Sequence, residues 1–443
     1  MKLTAGLQTI KKSKIAFFIL GISSLTWFLI RVIPKPSRAT YPCMQASAPI
    51  MSAFVIYLIG LASTIYIFRK RNRSLLYSRF TMASLFIVVG LFSFSSTKQD
   101  QQFSLVDASY FQANAPIGQA KGIFPGRVVW VHNPDVTNAD MANTEDDYWA
   151  LDKNCDQVLV DSMLTSGIRR VGGKADVKKA WDEIFKYYNY NHGKSYTGYT
   201  SGEKFAIKVN ITNSCCVTID PDRIDASPQM LLAILKQLIN IVGVAEEDIW
   251  IGDNYRTFRD EYYDKCYSVF PNVHYVDGTG NNGREQTIPS EEQLLVFSDG
   301  KETASVPQHY VDATYFINMS CLKTHNEGGI TLGAKNHQGS ILKEGDPPSG
   351  QSAYYMHYAL PANDPGIGNY RHMVDYMGHN QLGGKTLIYI VDGLWAGRSW
   401  EGWLEKWKIA PFNNDYPSSL FLSQDPVAIE SVGYDFLLAE YAT

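Results

Sequence analysis

The residues whose types could do chemistry are concentrated between Ile317 and Ile341. Two lysines (Lys323, Lys335), two histidines (His325, His337) and two asparagines (Asn326, Asn336) lie within fifteen residues. A connection between elements needs fewer polar groups than that. Lysine ammonium groups bind phosphate or carboxylate as point charges, and amide side chains orient such a ligand by hydrogen bonds. Lys323 and Lys335, with Lys208 from an earlier strand, are candidates for a cationic pocket in which Asn210 and Asn336 fix the ligand. His325 is the candidate general acid or base, because an unperturbed imidazole titrates near neutrality, and Lys323 stands beside it as the second candidate catalytic group. A competing chemistry is a divalent cation held by Asp253, Asp392 and Asp425 with His325 as nitrogen ligand. No H-x-x-x-H or H-x-H spacing supports it, so an anion ranks ahead of a metal. Each residue also has a purely structural reading. A lysine at a strand end can be a buried ion-pair partner of Asp253 or Asp392. Asp425 is placed to cap a helix. Lys335 and His337, two apart on a helix, do not share a face.

These groups need elements that end in one place. The apolar run Ala313–Met319 predicts a buried strand; the pattern breaks over Lys323–Gly329 and resumes with helix-compatible spacing. A strand, a glycine turn and a helix start would offer backbone N–H groups and a favourable dipole to an anion. Further strands are predicted at Arg127–His132, Lys204–Asn210, Asp248–Asp253, Asn272–Asp277, Lys385–Gly393 and Ser419–Ser423. Helices are predicted over Val177–Tyr188 from its apolar spacing, from Ser227 as cap and Pro228 at the first position to about Val242, over Phe258–Val269, and after Asp425. Leu294–Ser298 and Val306–Tyr310 read as hairpin-like additions, and Glu344–Asn369 as an irregular surface loop or lid. The loop Asp277–Gly283 is rich in glycine but lacks G-x-G-x-x-G and a following helix, so it reads as a turn and not as a nucleotide cradle. The four tryptophans Trp395, Trp400, Trp403 and Trp407 are candidates to cap a pocket, contact a partner or meet the bilayer surface, and core packing is an equal alternative for two of them. The fold class is therefore α/β, with a mostly parallel sheet flanked by helices. Its polar strand ends, at Asn210, Asp253, Lys323 with His325, and Asp392, would converge on one edge.

With 443 residues the chain exceeds one ordinary domain, and its net charge of −4 gives no reason to expect nucleic acid as a partner. Three apolar segments open it, at about 15–31, 50–68 and 75–95, each near the length that crosses a bilayer. Basic residues cluster in the amino-terminal tail (Lys2, Lys11, Lys12, Lys14) and in the second connection (Arg69, Lys70, Arg71, Arg73). The positive-inside rule puts both in the cytoplasm. Three transmembrane helices over residues 1–97 would then be followed by a linker at 98–125. The α/β domain at 126–443 would face the periplasm or the cell exterior, where a supply of ATP or NAD is doubtful. Six cysteines (Cys43, Cys155, Cys215, Cys216, Cys266, Cys321) contain no C-x-x-C, so no iron-sulfur or zinc-ribbon pattern is present. Disulfides are permitted in that compartment; buried free thiols are an equal alternative for Cys155 and Cys321.

Several blocks in order resemble the family catalogued as domain of unknown function 362. Lys204–Asn210 resembles its lysine-asparagine strand and Ile249–Asp253 its glycine-aspartate strand end. Asn318–His325, followed by Gly329–Asn336 and Gly339, resembles its most recognisable signature; Val391–Gly393 and Ser423–Ala428 resemble its closing blocks. The resemblance runs from about Gly126 to the end, and the membrane segments ahead of it are similar to those of some bacterial members. The family has no general assigned reaction. Many members carry ferredoxin-like cysteine clusters, and this chain does not.

The expected function is a membrane-anchored, extracytoplasmic protein that binds an anionic small molecule or cofactor of unknown identity, with acid-base or redox chemistry within its reach. The alternative is a non-catalytic accessory subunit of a larger membrane complex, drawn from the membrane segments, the tryptophan cluster and the proline-rich stretch Pro34–Met44.

Overall fold

The computed structural model describes residues 119–213, 220–298, 300, 303–342 and 371–441, and ahead of these Thr26 and Val55 alone. Apart from those two residues, the three apolar segments lie outside the described residues, as do the stretch Pro34–Met44, Cys43, Cys215, Cys216 and the expected lid Glu344–Asn369. Among the described residues no helix is long and apolar enough to cross a membrane. Residues 121–123 lie in the expected linker. Their backbone N–H groups donate to Asp425, Tyr187 and Gln424.

In chain order the elements begin with β1 (Val129–His132), α1 (Gln157–Gly172), α2 (Val177–Asn191) and β2 (Phe205–Val209). Next come α3 (Pro228–Lys236), which continues as a wider π-helical turn to Val242, β3 (Ile249–Gly252), α4 (Asp260–Tyr267) and β4 (His274–Asp277). They are followed by β5 (Glu285–Gln286), the paired β6 (Pro289–Val296) and β7 (Thr303–Pro307), α5 (Gln308–Asp312), β8 (Tyr315–His325), β9 (Gly329–Thr331) and α6 (Gly333–Asn336). The chain closes with α7 (His372–Gly378), β10 (Thr386–Arg398), β11 (Trp403–Leu404), β12 (Ser419–Ser423) and α8 (Pro426–Tyr441).

Ten strands form one sheet in the order β1-β12-β10-β8-β2-β3-β4-β5, with β9 beside β8 and β11 beside β10. The expectation of a mostly parallel sheet needs correction. The six strands from β10 to β5 are parallel, but β1, β12, β9 and β11 pair antiparallel, so the sheet is mixed. The reason lies in the connections. Parallel neighbours need a crossover, whereas β9 and β11 return through short links that allow only antiparallel pairing.

Alternation along the strands builds two faces. Tyr315, Ile317, Met319 and Cys321 of β8 enter the core beneath α1–α4, with Ile168, Trp181, Leu231 and Tyr262. Phe316 and Leu322 enter two smaller cores on the other face, with Tyr376 of α7 and with Ile429 and Leu437 of α8. Helix starts follow the local chemistry. Asp156 accepts N–H bonds from Val158 and Leu159, Asp176 from Lys179, and Asp425 from Val427 and Ala428. Ser227 occupies the cap position of α3 but makes no cap bond; its hydroxyl donates to Asp392 instead.

Two strands overrun their expected ends. β10 passes Asp392, crosses a register shift before Ala396 and continues to Arg398, so Asp392 is not terminal. β8 carries Lys323 and His325 inside the strand, and a hairpin at Asn326–Gly328 turns into β9 before α6 begins. The expected strand, glycine turn and helix start is thus a strand, a hairpin and a one-turn helix. Trp395 and Trp407 are buried, while Trp400 and Trp403 are exposed. Cys155, Cys266 and Cys321 are buried free thiols.

Candidate functional site

From β2 the chain winds through α3 to β3 and through α4 to β4 on one side, while β8 and then β10 lie on the other. The strand order therefore reverses between β2 and β8. The crevice outside the carboxyl ends of two such strands is the usual ligand position in open α/β sheets. Lys208 is the last residue but one of β2, and Lys323 and His325 fall within the last three residues of β8.

Lys208 is saturated. Its ammonium donates to Val209 O at 2.6 Å, to Asp253 Oδ2 at 2.6 Å and to Asn336 Oδ1 at 3.2 Å, which uses all three protons. Asp253 Oδ1 accepts the N–H groups of Tyr255 and Arg256. Asn336 donates to Asn318 Oδ1 at 2.9 Å and to Met319 O at 3.1 Å, and it accepts a long bond from Asn210 Nδ2 at 3.4 Å. Asn318 returns a bond to Gly333 O at 2.9 Å. Four of the eight expected site residues (Lys208, Asn210, Asp253, Asn336) thus form one buried network that ties α6 to the ends of β2, β3 and β8. Gly252 precedes Asp253, and a Cβ there would lie 1.8 Å from Val276 O, so only glycine lets β3 and β4 close at this point.

Asp392 stands apart from this network. It accepts Ser227 N and Oγ, each at 2.7 Å, and Leu394 N at 3.1 Å, and burial raises its pKa. Its bonds hold the start of α3 against the bulge of β10. Among the described residues no group of three or more His, Cys, Asp or Glu is arranged to hold a metal ion.

Lys323 is different. It is 0 % exposed, and its ammonium has no hydrogen-bond partner among the described residues. Its nearest countercharge, Asp225 Oδ1, is 3.9 Å away, beyond hydrogen-bond reach. Gly402, in a left-handed conformation at φ +73°, packs its backbone over the lysine stem, where a Cβ would lie 3.3 Å from Lys323 Cδ. Asp225 accepts both Asn213 N and Asn213 Nδ2. Burial raises its carboxyl to about 6, against the opposing pull of Lys323, the Asn213 N–H, Arg259 and Arg256. Arg259 is also buried; one arm donates to Asn213 O, while Nε has no partner among the described residues.

His325 Nδ1 accepts the backbone N–H groups of Glu327 at 3.1 Å and Gly328 at 3.0 Å. In the neutral ring the proton then lies on Nε2. Lys335 reaches the same hairpin: a Cβ on Gly328 would lie 3.6 Å from both Lys335 Cε and His325 Nδ1. Burial, then the positive charges of Lys323 and Lys208, lower Lys335 to about 7, with Glu327 opposing. The first turn of α6 is closed by Glu430, whose Oε1 accepts Ala334 N at 2.8 Å and whose pKa burial raises to about 7.

The order of blocks that positions these groups is itself diagnostic. A family model described as Domain of unknown function (DUF362) matches residues 206–435, more than half of the 443. The chain belongs to the DUF362 family. The DUF362 match begins within β2 and ends within α8, so it contains all eight expected site residues while β1, α1 and α2 lie outside it. No curated protein matches the chain.

Within this DUF362 domain the expected residues separate into a saturated network, an isolated Asp392, and a third group of Lys323, Lys335 and His325. Sequence reasoning did not single out Asp225, Asn213 or Arg259. Arg256 and Arg259 follow directly after the strand-end Asp253, and that placement was the available signal. Asp225 sits in a loop without periodicity and offered none.

Proposed function

We propose that the domain binds a small molecule bearing a carboxylate or phosphate at the carboxyl ends of β2 and β8, anchored to a membrane by the segments that precede it and facing away from the cytoplasm. The observation that carries this reading is the ammonium of Lys323, fully buried and without a hydrogen bond among the described residues. A buried charge left without hydrogen bonds costs more than the roughly 1–3 kcal/mol of a neutral polar group. An anion bound beside it would remove that cost. Arg259, whose charge reaches Asp225 together with that of Lys323, and Lys335, which feels Lys323, add positive charge, and charge-assisted bonds to such groups are about twice as strong as neutral ones.

The test is thermal unfolding of the full chain against inorganic phosphate, sulfate and short carboxylates at constant ionic strength. At least one should raise the midpoint, by an amount that grows as the logarithm of its concentration. The gain should shrink as pH rises through about 7, where Lys335 loses its proton, and Lys335→Met should flatten that pH dependence. A midpoint indifferent to every anion would remove the reading.

A second reading, an accessory subunit of a membrane complex, is favoured by Trp400 and Trp403, which are 41 % and 38 % exposed. Arg223 stacks over the Trp403 ring at 4.4 Å. Exposed aromatics with arginine are the usual anchors of protein interfaces. Purification in mild detergent should then recover a stoichiometric partner that Trp400→Ala/Trp403→Ala loses; a chain that purifies alone counts against it.

A further inference from the structure

Resting on the anion-site reading above, we propose that Lys335 is an amine nucleophile that forms an imine with a carbonyl compound whose carboxylate or phosphate is held by Lys323.

The geometry sets Lys335 apart from two other lysines sheltered by this domain. Lys208 uses all three of its protons. Lys385 donates to Tyr310 O, Val311 O and Ala313 O at 2.7, 3.1 and 2.8 Å. Lys335 makes no hydrogen bond or ion pair to any described residue, although its backbone is fixed on both sides. Gly333 O is held by Asn318, Ala334 N by Glu430, and Asn336 by the β2–β8 network. The side chain extends past Gly328, where the missing Cβ leaves room between Lys335 Cε and the His325 ring. An amine on a fixed stem, uncommitted and beside a second ammonium, is the arrangement that activates lysine toward carbonyl carbon.

Burial and the charge of Lys323 bring Lys335 down to about 7, so a large share of it is the free amine at neutral pH. The step balances within the site. The Lys335 Nζ lone pair forms a bond to the carbonyl carbon, and one N–H proton passes to the carbonyl oxygen to give a carbinolamine. The C–O bond then breaks, the oxygen leaves as water with the second proton, and the nitrogen–carbon double bond remains. A 2-oxo acid or a phosphorylated aldehyde has the required pair of groups.

The experiment treats the full chain with limiting pyridoxal 5′-phosphate, and separately with pyruvate, in the presence of sodium cyanoborohydride between pH 6 and 9. Peptide mass spectrometry then locates the reduced adduct. Lys335 should be labelled at least about tenfold faster at pH 7 than the exposed Lys178, and its rate should rise through about pH 7. Labelling of Lys335 no faster than Lys178 overturns the imine. Thermal unfolding with inorganic phosphate, sulfate and short carboxylates, run on the same sample, separates the two ideas. A rise with phosphate, sulfate or a short carboxylate together with slow Lys335 labelling rejects the imine alone, and no rise with any of these anions rejects the anion site on which it rests.

Discussion

Lys208→Met is expected to destabilise the domain by roughly 3–5 kcal/mol, the usual cost of breaking a buried ion pair from one side. Lys208 and Asp253 are 1 % and 5 % exposed and 2.6 Å apart, so removing the ammonium leaves a carboxylate with little water to solvate it. Asp253 keeps two backbone N–H bonds through Oδ1, which places the loss toward the lower end of that range. The variant also strips Asn336 Oδ1 of its shorter donor and loosens α6. Lys208→Met/Asp253→Asn should recover at least about half of the loss, because it removes the stranded charge while keeping an acceptor for the two N–H groups. Chemical unfolding midpoints of the three proteins measure this. A Lys208→Met midpoint within about 0.5 kcal/mol of the parent would mean that the pair does not hold the strand ends together.

Lys323→Met is expected to behave in the opposite way. Without ligand its stability should change by less than about 1 kcal/mol, because the 3.9 Å pairing with Asp225 is weak and methionine relieves the burial of an unbonded charge. With anion present the difference should be large. A ligand at one hundred times its dissociation constant contributes about 2.7 kcal/mol to the parent, and the variant should gain none of it. Asp225→Asn separates the roles further. It removes the only carboxylate paired with Lys323 among the described residues, so phosphate should bind it more tightly, and a weaker response would place Asp225 and not Lys323 in contact with the ligand. The contrast between two lysines on neighbouring strands is the main content of both predictions: one holds the fold, and the other waits for a partner.

How far the sequence reached depended on the kind of information each feature needed. β2 and the first half of β8 were readable because a strand buried on both faces is a continuous apolar run. α2 was readable from its spacing, with Ala180, Trp181, Ile184, Phe185 and Tyr188 all buried. The far half of β8 was not, because Lys323, Thr324 and His325 look like the end of a strand until β9 is there to pair with them. The antiparallel pairing was missed for a related reason: β1 and β12 were expected as strands, but the direction of a strand belongs to its connections and leaves no mark on its own residues. At the site, residue types suggested a cationic pocket, and the sequence reading also allowed for a lysine paired only with Asp253. Choosing between those readings for Lys208 required a distance, 2.6 Å, that no spacing supplies. Asp225 became visible only once β8 and the loop before α3 were side by side.

α6 is four residues long, a single turn that cannot persist alone, since starting a helix fixes several residues for one hydrogen bond. Its shape is imposed by Asn318, Asn336 and Glu430, contributed by β8, by α6 itself and by α8, nearly a hundred residues downstream. Lys335 therefore acquires its position late in folding, after β2, β8 and the carboxyl-terminal helix have met. An excised peptide spanning the signature would contain the lysines and the histidine but not the site. Nascent chains that have not yet emerged as far as Glu430 are in the same condition, so this sheet edge takes its shape only when α8 is in place.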